Sequence, residues 1–137
     1  MTNSVNAVFK GGRHFSVEVN GHTIDIDTTK EKGGEDIGPS PKLFMLLSLA
    51  GCTGFDIVSI LPKMRVKFSD FSVAVTGNLT DSEPSVYDRV QIVYTIRMDK
   101  DDHQKMEKAV KLSKEKYCGV SRMFESFARV DFQIKYL

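Results

Sequence analysis

Apolar and polar positions alternate three times within the first 27 residues. Ala7 and Phe9 alternate with Asn6 and Val8, Phe15, Val17 and Val19 with Ser16 and Glu18, and Ile24 and Ile26 with Asp25 and Asp27. A period of two predicts strands with one face toward a core. Gly11-Gly12 and Asn20-Gly21 separate them, and Asn-Gly suits a two-residue hairpin turn that needs positive φ at both positions. A three-stranded antiparallel meander is predicted over 1–27. The polar stretch 28–40, with Gly33-Gly34 and Gly38-Pro39, has neither period and reads as a structureless, mobile loop at the edge of a site.

The pattern then changes. Ser40 is suited to cap a helix and Pro41 to begin one. The run from Leu43 to Leu61 is apolar around nearly its whole circumference, as in a helix buried on all sides. Its length approaches a membrane span, but Ser48, Thr53, Asp56 and Ser59 interrupt it, and an aspartate at mid-span is costly. A buried central helix over 41–61 is therefore predicted, with Pro62 ending or kinking it.

Strand alternation returns in Phe71, Val73 and Val75, and again in Val90, Ile92, Tyr94, Ile96 and Met98, across a loop with Pro84. These predict a hairpin within 66–98. Met106, Ala109, Val110 and Tyr117, then Val120, Met123, Phe124 and Phe127, follow helical spacing over 101–127, interrupted at Cys118-Gly119. Val130, Phe132, Ile134 and Tyr136 make a last strand in 128–137. The order βββ-α-ββ-αα-β predicts one α+β domain over 1–137, with antiparallel sheets around a long buried central helix. That helix carries more apolar surface than one small sheet can cover, so an intertwined homodimer is expected.

Composition narrows the chemistry. Lys and Arg number 19 against 18 Asp and Glu, a net charge of +1, with 41% hydrophobic and 27% charged residues. Without basic clusters a nucleic-acid or anionic membrane surface is disfavoured. The two cysteines, Cys52 and Cys118, form no CxxC and have no histidine cluster beside them, which excludes a zinc knuckle or thioredoxin motif. Residues 1–10 lack signal-peptide character, so a reducing cytoplasm is expected. Inert thiols, a structural disulfide and a reactive pair remain open, the disulfide least favoured.

Ser48, Cys52, Asp56 and Ser59 fall at spacings of four, four and three, forming one polar stripe on the apolar helix. Cys118 lies at a helix start near Lys111, Lys114, Lys116 and Arg122, and a helix dipole with nearby cations favours a thiolate. His14, His22 and His103 have no ligand partner at a metal-site spacing and read as solvated surface residues. Neither Gly-Gly pair has the strand-to-helix setting of a phosphate loop. No metal or cofactor is expected.

The segment Gly38 to Leu61, with Cys52 at its centre, resembles the central helix of the OsmC/Ohr family (osmotically inducible / organic hydroperoxide resistance proteins). Leu112 to Ser121, containing Tyr117-Cys118, resembles that family's second cysteine segment. The likeness is nearest to the YhfA-like branch. It implies an interface-sited, metal-free thiol peroxidase in oxidative stress defence, with Cys52 as peroxidatic nucleophile and Cys118 as resolving thiol. It also implies an organic hydroperoxide substrate, alkyl or lipid, and a dithiol reductant of lipoyl type. The family's thiolate-stabilising arginine corresponds to Arg13 in Gly11-Gly12-Arg13. Lys42 occupies the position of the glutamate that anchors it, and Glu35 or Asp36 is the substitute. Lys42 supports an alternative, a dimeric module that binds an apolar or thiol-bearing small molecule without catalysis.

Overall fold

Asn20 and Gly21 both take positive φ, 50° and 79°, as a type I′ turn requires. In this computed structural model, which describes residues 1–137, the turn joins β2 (His14–Val19) to β3 (His22–Ile26) with Val19 opposite His22. Strand β1 (Ala7–Gly11) pairs antiparallel with β2, and Phe9 and Phe15 face each other across them.

The stretch 28–40 is wound rather than structureless. Asp27 is 2% exposed, and a buried carboxylate needs partners. It accepts the N–H groups of Thr28 at 2.8 Å and of Glu35 and Ile37 at 3.2 Å. A short 3-10 turn spans Lys30–Lys32. A Cβ on Gly34 would lie 2.2 Å from the Thr28 carbonyl oxygen, so the loop needs glycine there. Residues 1–45 form one compact unit and 46–137 another.

Helix α1 covers Pro41–Lys63, so Pro62 is accommodated in its last turn and the helix stops one residue later. Leu49, Thr53, Ile57 and Leu61 form its buried stripe, which shares a core with Val90, Ile92, Tyr94 and Ile96. The expectation of burial on all sides fails within one chain. Leu47, Phe55 and Val58 are exposed, Phe55 at 74%, because the second sheet offers α1 a single apolar face. α1 is long and apolar enough to cross a membrane by length and composition, yet its stripe is committed to the chain's own sheet.

That sheet has the order β4-β5-β6, with β4 at Phe68–Leu79, β5 at Tyr87–Met98 and β6 at Arg129–Tyr136. β4 and β5 are antiparallel, but β5 and β6 run parallel, with Val90 opposite Val130 and Tyr94 opposite Ile134. This corrects the expectation of purely antiparallel sheets. The connection passes through α2 (His103–Leu112), a π turn at Ser113–Tyr117 and α3 (Gly119–Glu125), and a helical crossover returns the chain in the same direction.

Candidate functional site

Cys52 and Asp56 lie one turn apart on α1, both half-buried, beside the buried stripe. Cys118 reaches them through the π turn. Its N–H donates to the Ser113 carbonyl five residues back at 2.8 Å, and this wider turn places Ser113 and Cys118 on the same buried side. π turns of this kind recur at functional sites. Cys118 also caps α3, its Sγ accepting the Ser121 N–H at 3.3 Å.

Both thiols are free; Cys118 belongs to the buried core and Cys52 packs against that core, near enough to act on the Cys118 thiol. Burial pushes the Cys118 thiol up to about 12. The neighbouring Cys52 and the charge of Asp56 act in the same direction, against the lowering effect of the Ser121 N–H. Burial thus outweighs the dipole and cations that favour a thiolate at Cys118. Lys114 Nζ lies over the Phe132 ring at 4.8 Å and Lys116 Nζ over Tyr117 at 5.4 Å, and at a 3%-exposed sulfur desolvation dominates.

A hydroxyl chain runs beside the thiols. The Thr53 and Tyr94 hydroxyls are hydrogen-bonded, Thr53 Oγ1 lies 3.2 Å from Ser113 Oγ, and Ser113 Oγ donates to Asp56 Oδ2 at 2.7 Å. Burial pushes the Tyr94 phenol up to about 12 despite its bond to Thr53, so it stays protonated. Asp56 also lines a cleft of 310 Å³ with Ser59, Ile60, Lys63, Met64, Leu112 and Tyr117. Sequence reasoning missed Thr53, Ser113 and Tyr94. Thr53 was the available signal, a polar residue four positions from both Leu49 and Ile57 on the apolar stripe.

The remaining site expectations fall within residues 1–45, whereas the thiol pair belongs to 46–137. Arg13 is exposed after β1, and a Cβ on Gly33 would lie 3.8 Å from its Cδ. Glu35 is exposed, with its N–H on Asp27. Lys42 is exposed on the first turn of α1. His14 is not simply solvated: it is half-buried and paired with Asp25 at 2.7 Å. His103 stacks on Tyr136 with ring centroids 3.5 Å apart.

A family model described as OsmC-like protein matches residues 33–133. The chain belongs to the OsmC-like family. Protein YhfA of Escherichia coli K12 is 30% identical over 110 residues, 80% of this chain and 79% of that protein. A crystal structure of a hypothetical protein from Aquifex aeolicus VF5 superposes with a TM-score of 0.81 at 25% identity, covering 100% of this chain and 98% of that one. An organic hydroperoxide resistance protein from Elizabethkingia anophelis, with thiocyanate bound, superposes at a TM-score of 0.72 and 14% identity, covering 100% and 99%. That last likeness establishes the fold. The match to the OsmC-like fold spans both cysteine segments.

Proposed function

We propose that this OsmC-like protein is a cytoplasmic thiol peroxidase that reduces alkyl or lipid hydroperoxides in oxidative stress defence, working as a homodimer. The observation that carries the reading is that Cys52 and Cys118, both free thiols, pack into one core, with Cys52 acting on the Cys118 thiol. Two free thiols 66 positions apart in sequence and gathered at one core in the fold support an exchange for a disulfide.

Cys52 thiolate attacks the distal oxygen of ROOH. The O–O bond breaks, ROH leaves after taking a proton, and Cys52 becomes a sulfenic acid. The Cys118 thiol then displaces that oxygen as water, forming the Cys52–Cys118 disulfide, and a dithiol of lipoyl type reduces it. The division of labour follows from burial: the half-exposed Cys52 meets substrate, and the 3%-exposed Cys118 resolves it before over-oxidation. In this reading Arg13 stabilises the Cys52 thiolate, and Glu35 anchors Arg13 where Lys42 replaces the family's glutamate. The name of the Elizabethkingia relative supports the hydroperoxide substrate. The open Leu47, Phe55 and Val58 face of α1 supports a second copy as its cover.

One equivalent of cumene hydroperoxide should convert both thiols to a disulfide, read as a loss of two hydrogens by mass spectrometry. Retention of both thiols would sink the peroxidase reading. Cys52→Ser should abolish peroxide consumption, and Cys118→Ser should react once and then over-oxidise. The exposed Lys42 favours a second reading, a dimeric module binding an apolar or thiol-bearing small molecule. Unreactive thiols together with ligand-dependent thermal stabilisation would support that one.

A further inference from the structure

Closing the disulfide requires the Cys118 proton to leave, and the surroundings of that thiol offer few acceptors. Ser121 presents an N–H donor, Lys114 and Lys116 face aromatic rings, and the Cys52 sulfur is the electrophile of the step. The buried Ser121 hydroxyl has no partner but is too weak a base to hold the proton, which leaves the Asp56 carboxylate, one turn beyond Cys52, whose charge acts on the Cys118 thiol. Ser113 holds both partners. Its carbonyl accepts the Cys118 N–H at 2.8 Å and its hydroxyl donates to Asp56 at 2.7 Å. Asp56 also lines the open cleft with Ser59, Lys63 and Tyr117, so a proton taken from the buried side has a way out to water.

We infer that Asp56 is the proton acceptor for Cys118 as the Cys52–Cys118 disulfide closes, and that Ser113 is the positioning residue that fixes its carboxylate. The inference rests on the proposed thiol cycle and adds a residue to it. As the S–S bond forms and the S–O bond of the sulfenic acid breaks, the Cys118 proton passes to Asp56. The departing hydroxide takes up a proton to become water, and the Asp56 carboxylate is restored. Cys118 needs such an acceptor because burial keeps it a thiol at neutral pH.

The experiment uses full-length protein and dithiobis(nitrobenzoate), which needs no peroxide. Cys52 attacks the reagent and releases one thionitrobenzoate, and Cys118 then displaces a second as the protein disulfide closes. In Asp56→Asn the second release should slow about a hundredfold near neutral pH, with the first release within about threefold of wild type. The wild-type closure rate should be nearly flat from about pH 6 to 8 and the variant's should climb about tenfold per unit, since only free thiolate then attacks. The ionisable neighbours Cys52, Lys63, Tyr94, Tyr117 and Cys118 are the same in both proteins, so a changed profile belongs to Asp56. Ser113→Ala, which keeps the carboxylate, should slow closure by a smaller factor, and Asp56→Glu should restore part of the rate. Wild-type rates and pH profiles in both Asp56→Asn and Ser113→Ala would overturn the inference, as would a wild type that never releases the second equivalent. If wild type ignores cumene hydroperoxide while Asp56→Asn still slows closure, the peroxidase reading falls and the role of Asp56 stands.

Discussion

Thr53 of α1 and Tyr94 of β5 meet hydroxyl to hydroxyl in the core, both side chains wholly shielded from water. The bond ties the central helix to the middle strand of the second sheet, one position from Cys52. Tyr94→Phe leaves Thr53 with Ser113 as partner and should cost about 1 kcal/mol, whereas Thr53→Val strands the buried phenol and should cost about 1–3 kcal/mol. Urea unfolding of both variants and of the double mutant checks the order.

The raised Cys118 thiol makes alkylation selective. At about pH 8 iodoacetamide should label Cys52 and leave Cys118 unmodified in the folded protein, as peptide mapping would show. The sign for stability follows from the same shift. The contribution is full below the ordinary thiol value of 9.0 and is lost as pH rises toward about 12, because the unfolded chain ionises first. Urea midpoints that hold steady across that range would contradict it.

Asp27 gives the opposite dependence. Burial pushes its carboxyl up, but the N–H groups of Thr28, Ile37 and Glu35, with His14 nearby, outweigh it and hold the pKa below 3.8. Its stabilising effect is present above the ordinary carboxylate value and fades as pH falls through the lower folded one. Asp27→Asn should therefore speed amide exchange at Glu35 and Ile37 at neutral pH, and the gap from wild type should narrow in acid. Equal exchange at neutral pH would refute the anchoring role.

The open face of α1 predicts an association state. Phe55→Asp places a charge on the 74%-exposed ring position and should convert a dimer to monomer in sedimentation, with no loss of monomer fold by circular dichroism. A wild type that sediments as monomer would remove the dimer from the proposed function.

Much of this was legible because it is local. The Asn20-Gly21 turn, the start of α1 at Pro41 and the placement of Cys52 and Asp56 on one stripe follow from spacing and turn chemistry. The parallel β5–β6 pairing was not legible, since it depends on how a long crossover returns to the sheet. Nor was the Thr53, Tyr94 and Ser113 chain, whose members are separated by 41 and 60 residues from Thr53. Asp27 read as the polar end of a strand, because its partners are backbone groups that no side-chain pattern announces. For Cys118 the neighbouring lysines were visible in the sequence and the burial was not, so the desolvation that opposes their effect could not be read there.

The π turn at Ser113–Tyr117 has a consequence for how this segment tolerates change in length. Residues five apart on an α-helix point about 140° away from each other, so an ordinary helical path from Ser113 would carry Cys118 off the side the two residues share. Removing one residue of 114–117 would leave them four apart, a spacing that α-helix itself brings to one side. The turn thus absorbs one extra residue, and the segment should tolerate that deletion better than an insertion.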